Sequence, residues 1–322
     1  MSPELRRVHV EGWDPAYGSP VAPDDDLAPS ESEVDLGVEV AGAWAPLPGE
    51  DDGIDEVWLV DGIRRVEARL SIASDAGMPV GGICGSHAVG AVRWDRVGRV
   101  STVAEARIDR LAVTGAGRRV CLPPALGLVS RPLSGPGTDP AELVRAFHGS
   151  MRTAEARLTA ELADTGSFVI ADGPVNDTRA RDVVGFIKTH RVAYLHGSAT
   201  EVIARLEPGT RTPLFLLGAS GSFARYSWYQ RLAEGPPGHA WYGVVRCEVA
   251  AALGLARARI LADRTAVLAP RLAAPAHTDP RAPQNLVPIG ALERGLRRRL
   301  GDQALAFRAL AGAAAGATVE AA

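Results

Sequence analysis

Two apolar runs in this chain end in the same dipeptide: Val57-Trp58-Leu59-Val60-Asp61-Gly62 and Phe168-Val169-Ile170-Ala171-Asp172-Gly173. Runs of this length and make-up read as buried strands, and Asp-Gly reads as the turn that ends each one. Each carboxylate is then expected at a strand mouth, where the side chain leaves the core. On neighbouring strands the two acids converge. Paired carboxylates repel unless a cation lies between them, so the pattern predicts a divalent-metal site and phosphodiester chemistry. A third acid is expected from a helix ahead of the second strand. Glu155 borders the apolar stripe of that helix, one turn past Met151 and one turn before Leu158. Glu161, beside Leu158 and Leu162, competes with it, and Glu155 is preferred because an acid beside the buried stripe reaches the sheet. Asp61, Glu155 and Asp172 together offer the oxygen ligands suited to Mn²⁺ or Mg²⁺.

Lys188 is the only lysine in a chain that otherwise uses arginine for its fixed positive charge. A compact ammonium kept among arginines marks a place for a point charge rather than a planar fork. It fits as the electrostatic partner of a scissile phosphate. Arg64, Arg65, Arg179 and Arg246 are candidate phosphate contacts. Arg225-Tyr226-Ser227-Trp228-Tyr229 reads as a core cluster in preference to a base-stacking platform, and Arg294, Arg297, Arg298 and Arg299 as a solvated helix face.

The elements that must position these residues follow from periodicity and punctuation. Residues 1–54 are rich in Pro, Gly, Asp and Glu and predict an extended arm, with one short strand near Val38-Glu39-Val40 and loosely attached acidic parts. Trp13, Tyr17 and Asp24-Asp25-Asp26 make this arm a candidate docking segment. Strands are expected at Val57–Asp61, Arg65–Ile72 and Gly82–Trp94. Gly62-Ile63-Arg64 is read as a hairpin link, and Val66, Ala68, Leu70 and Ile72 as a buried face. Asp139 and Pro140 open a helix running to about Asp164. Later helices are expected at Arg179–Lys188, Ala199–Leu206, Leu253–Leu261 and Gly290–Leu300, and later strands at Arg191–Leu195, Pro213–Leu217 and Trp241–Val249. The tail, 311–322, reads as disordered. The expectation is one α/β domain over 55–310: a ribonuclease H-like mixed sheet flanked by helices, with the extended N-terminal arm.

Bulk properties narrow the function. A net charge of −3 over 322 residues argues against a broad basic surface that grips nucleic acid unaided. The sequence carries no signal-peptide pattern and no apolar run of the ~18 residues a membrane span needs. Cys84, Cys121 and Cys247 lack metal-type spacing and read as reduced core thiols, so a cytoplasmic protein is expected. Gly81-Gly82 and Gly85 lack the Gly-Lys-Ser/Thr ending of a phosphate-binding loop, so energy for translocation would come from another subunit.

With these residues in hand the chain resembles the NurA nucleases, partners of the HerA hexameric ATPase. The matching stretches are Val60-Asp61-Gly62 with Arg64-Arg65, then Glu155, then Ile170-Ala171-Asp172-Gly173-Pro174. Val184-Gly185-Phe186-Ile187-Lys188 and Gly243-Val244-Val245-Arg246-Cys247-Glu248 follow in the same order. The resemblance implies a ribonuclease H-like fold, Mn²⁺-dependent cutting of DNA in end processing or defence, and a homodimer on a HerA-type motor. It also implies metal binding by Asp61, Glu155 and Asp172, with Lys188 on the family's lysine. The family's late Pro-rich segment usually brings a histidine to the site. Here that stretch reads Asp279-Pro280-Arg281-Ala282-Pro283-Gln284-Asn285, with His277 upstream, and whether Asn285, His277 or neither takes the role is open. The alternative function is a catalytically inactive ribonuclease H-like scaffold that binds a partner protein.

Overall fold

The computed structural model describes residues 28–29, 33–72, 80–115, 117–176, 179–219, 223–236, 240–275 and 277–321. Trp13, Tyr17 and Asp24-Asp25-Asp26 lie outside the described residues. In chain order the elements are β1 (Ala28–Pro29), β2 (Val34–Asp35), β3 (Leu47–Pro48), β4 (Glu56–Ile72), β5 (Val80–Asp95) and β6 (Val100–Thr114). Then come β7 (Arg118–Cys121), β8 (Arg131–Ser134), α1 (Pro140–Asp164), β9 (Val169–Asp172), β10 (Val183–Ile187) and β11 (Val192–Ala193). The order continues with α2 (Ser198–Ala204), β12 (Thr210–Arg211), β13 (Phe215–Leu217), β14 (Arg225–Arg231) and β15 (Val244–Ala250). Last are α3 (Leu255–Leu272), α4 (Val287–Leu300), α5 (Gln303–Ala314) and β16 (Thr318–Ala321). The fold is therefore mixed α/β. No helix among the described residues is long and apolar enough to cross a membrane.

Where the sequence reads as one domain after an arm, the chain packs as two compact units. The first comprises residues 1–59, 93–101 and 159–290; the second comprises 60–92, 102–158 and 291–322. In the first unit the strand order is β2-β13-β14-β15-β10-β9, and β9 borders the opening residues of β4. There the Trp58 amide donates to the Phe168 carbonyl (3.0 Å), so the two Asp-Gly runs do start side by side. β9 and β10 pair in parallel and β10 and β15 antiparallel, which makes this sheet mixed. Its core gathers Leu195, Ile203, Leu206, Phe215, Tyr229 and Val244.

The second unit orders its strands β4-β5-β6-β8, with β8 parallel to β6. Helix α1 begins as predicted, at Pro140, with the Asp139 carboxylate accepting from the Ala141 amide (2.7 Å). Its buried stripe, Leu143, Phe147, Met151 and Leu158, is the one read from the sequence. Leu143 and Phe147 pack on Ile83, Leu111 and Val113 of the sheet. Further along, Leu292 and Leu296 of α4 come against Gly90 of β5, where an added Cβ would sit 3.0 and 3.1 Å from them.

Several expectations are overturned. No turn follows Asp61: β4 is unbroken for 17 residues and Asp61 lies inside it. On its later part Ala68, Leu70 and Ile72 do pack inward, but Val66 is exposed while Glu67 is buried, held by Arg65 through two bonds of 2.9 Å. The predicted helix Arg179–Lys188 is instead strand β10, because Val183-Val184-Gly185-Phe186-Ile187 is a short apolar run with paired neighbours on both sides. Strand β14 was read only as a cluster; its Trp228 and Tyr229 are core residues, which excludes the stacking platform. The tail is ordered into α5 and β16, the latter paired antiparallel with β7.

The acids of the arm are also tied down. Glu39, in no strand, receives Arg211 in a bidentate pair (2.8 and 2.9 Å), and Asp51 does the same for Arg96 (2.5 and 2.6 Å).

Candidate metal centre

In the second unit, Asp61 lies within β4 and is 8% exposed, its Oδ1 accepting from the Gly62 amide (2.7 Å). Helix α1 lies over the next residue. A Cβ added to Gly62 would stand 2.3 Å from Glu155 Oε1 and 3.2 Å from Val89 Cγ1. Glycine is therefore present at 62 to let a carboxylate cross the strand, which is the meaning of a glycine inside a strand rather than at its end. Glu155 is half-buried and Glu161 exposed, and it is Glu155 that crosses the strand at Gly62. A second acid stands beside Asp61 that the sequence reading passed over. Carboxylate oxygens of Asp61 and Glu293 lie within 4.8 Å of each other, and Glu293 is 8% exposed on α4. Its signal was present in the sequence: Ile289, Leu296 and Leu300 share its face, so Glu293 interrupts a buried apolar stripe. Asp61 and Glu293 thus pair on this unit, with Glu155 crossing the strand at Gly62, and carboxylate oxygens suit a hard divalent cation.

In the first unit, β9 does end at Asp172, followed by Gly173 at φ 102°. Asp172 Oδ2 accepts from Lys188 Nζ at 2.5 Å. The ammonium also donates to Asn285 Oδ1 (2.6 Å), and Asn285 Nδ2 donates to Asp279 Oδ2 (2.7 Å). Lys188 is 7% exposed and Asn285 fully buried. A buried ammonium held by a carboxylate on one side and an oriented amide on the other is fixed in place, with the amide's own direction set by Asp279. Of the two candidates of the late segment, Asn285 reaches the lysine, while His277 is exposed.

The remaining candidates fall into place. Glu248, fully buried on β15, accepts from the Val175 amide (3.0 Å) and thereby pins the loop that follows Asp172. It is neutralised by Arg246 (2.5 Å) and Arg225 (3.2 Å). Arg246 is accordingly a buried structural cation, its guanidinium 4.8 Å over the Tyr194 ring, and not a phosphate contact. Arg65 is spent on Glu67 and the Gly301 carbonyl. Partial burial lowers the Arg64 pKa, and the Glu155 carboxylate nearby opposes the shift. Arg179 is exposed, as are Arg294, Arg297, Arg298 and Arg299 on α4. Of the three cysteines, all free, Cys84 and Cys247 are buried; burial pushes the Cys84 thiol up to about 12. Cys121 is only half-buried, so it is not a core thiol. No protein-family model matches this chain, and no curated protein matches it.

Proposed function

We propose that this protein is a divalent-metal-dependent deoxyribonuclease of NurA type, with a ribonuclease H-like sheet. The observation that carries the reading is the close pair of buried carboxylates, Asp61 and Glu293, with Glu155 crossing the strand at the adjoining Gly62. Asp172, held by Lys188 in the first unit, is the further ligand that the resemblance offers. When bound, Mn²⁺ or Mg²⁺ supplies an activated water and stabilises the leaving oxygen of an in-line displacement. The chain's own contribution is positional. Gly62 leaves room for the Glu155 carboxylate, Asn285 and Asp172 hold Lys188 where its charge faces the phosphate, and Glu248 fixes the loop after Asp172.

DNA is the proposed substrate, reached in the cytoplasm through a HerA-type ATPase on which a homodimer sits. The net charge of −3 suits an enzyme that is handed its DNA. A catalytically silent scaffold is the second reading, and the Lys188–Asp172 ion pair favours it, since it occupies one Asp172 oxygen.

Metal-dependent thermal unfolding tests the centre. With Mn²⁺ at about a hundredfold above its Kd, the melting temperature should rise by roughly 4–8 °C. Asp61→Asn should abolish the rise. A wild-type protein indifferent to Mn²⁺, or an Asp61→Asn variant stabilised equally, sinks the reading.

A further inference from the structure

A cavity of about 420 Å³ opens within the first unit, between β11, α2 and β14. The volume lies toward the small end of the roughly 300–1,000 Å³ usual for ligand sites, which suits a small molecule. Its walls are uncharged: no carboxylate, ammonium or guanidinium is among the described residues that line it. A charged ligand would lose its hydration there without gaining a partner, so the lining selects a neutral one.

Three rings form one wall. The centre of the His190 ring lies 5.0 Å from that of Trp241 and 5.6 Å from that of Tyr229, and Trp241 meets Tyr229 edge-on at 5.7 Å. Tyr229 in turn stacks on Phe215, 5.9 Å away with 18° between the planes, which braces the wall from the core. Tyr194 adds a fourth ring, steadied by the Arg246 guanidinium 4.8 Å over it. Tyr194 and Trp241 are only half-buried, and this leaves the box a mouth. Rings so arranged favour a flat aromatic guest in offset-stacked or edge-on contact.

His190 shows what else the guest must carry. It lines the cavity at 5% exposure. Among the described residues its ring makes one hydrogen bond, between Nε2 and the Val244 carbonyl (3.1 Å). A carbonyl only accepts, so the proton is on Nε2, and burial keeps the ring neutral by pushing its pKa down to about 4. Nδ1 is therefore an acceptor in want of a donor. The Thr200 hydroxyl, also on the wall, does not supply it, because it donates to the Leu195 carbonyl (2.7 Å). Buried polar atoms are hydrogen-bonded as a rule, and an exception inside a cavity points to a partner that comes from outside the chain.

We infer that this box binds a small, uncharged, flat heteroaromatic molecule whose ring N–H donates to His190 Nδ1 while its faces meet Tyr229 and Trp241. An indole and a purine base both present that chemistry, and the test tells them apart. The inference needs neither metal nor DNA, so it goes beyond the nuclease reading and stands or falls separately from it.

Calorimetric titration of the full chain in EDTA, with indole, adenine and benzothiophene as probes, reads the site directly. Benzothiophene matches indole in shape but has no N–H. Indole or adenine should bind at least tenfold more tightly than benzothiophene, as expected when a buried acceptor is otherwise left unpaired. The tighter of the two names the ligand class. His190→Phe keeps a ring in the wall and removes the acceptor, so it should erase the preference over benzothiophene. Trp241→Leu, at the mouth, should weaken the preferred probe about tenfold through lost ring contact. Circular dichroism confirms that each variant folds, and the comparison of probes on the wild type needs no variant. Benzothiophene bound as tightly as both N–H probes, no binding of any of the three, or a His190→Phe variant that keeps the preference overturns the inference.

Discussion

His190 sits two residues beyond Lys188, its ring 5.6 Å from that of Tyr229 and 5.0 Å from that of Trp241. Burial, the dominant cause, pushes its pKa down to about 4, with Arg246 adding to the effect and the Val244 carbonyl opposing it. A histidine that stays neutral when folded but protonates when unfolded destabilises the fold as pH drops. The loss begins near the unfolded pKa of about 6.5, is complete near 4, and amounts to about 3 kcal/mol. Urea titrations at pH 7 and pH 4.5 should therefore show a smaller stability difference for His190→Phe than for the wild type. An unchanged difference would mean the ring is solvated. At this scale the sequence was informative where composition isolated a residue, as with the lone Lys188. It offered Asn285 only as one of two candidates and was silent on the roles of Asp279 and Glu248, because these depend on partners as far as 97 residues away along the chain.

At the scale of elements, Asp-Gly shows both what local pattern can say and what it cannot. Asp172-Gly173 ends its strand, as turn chemistry predicts. Asp61-Gly62 continues through β4, because glycine there answers to the helix above it and not to a turn. Helix α1 was legible because its cap and apolar stripe are local signals. Strand β10 was misread since five apolar residues carry no decisive period, and pairing with β9 and β15 decided the matter. The register of α1 over β4 makes a prediction of its own. Gly62→Ala places a methyl group 2.3 Å from the present position of Glu155 Oε1. The end of a glutamate side chain swings aside cheaply, so the variant should fold with a stability loss of about 1 kcal/mol. Its Mn²⁺ affinity should fall roughly tenfold or more, as for a displaced neighbour of a metal ligand. Unaltered Mn²⁺ affinity would remove Glu155 from the centre.

Across the whole molecule, the arm and the tail carry the largest departures from the sequence reading. The acidic arm looked solvated, but Asp51, Asp52 and Glu39 each hold buried or half-buried arginines of the first unit. Such pairings are long-range, and no local signal announces them. The tail's alanine-rich composition hid a helix that packs Leu310 and Ala313 on Cys84 and Ala112. None of this alters the chemistry read from the two Asp-Gly runs, which is tested most directly on DNA. Linear single- and double-stranded DNA should be degraded by the wild type in Mn²⁺ and left intact in EDTA. Asp61→Asn should lose at least a hundredfold in rate, corresponding to about 2.7 kcal/mol of barrier. DNA left intact by the wild type even with a HerA-type ATPase added, or cut equally by Asp61→Asn, would contradict the account and favour the silent scaffold.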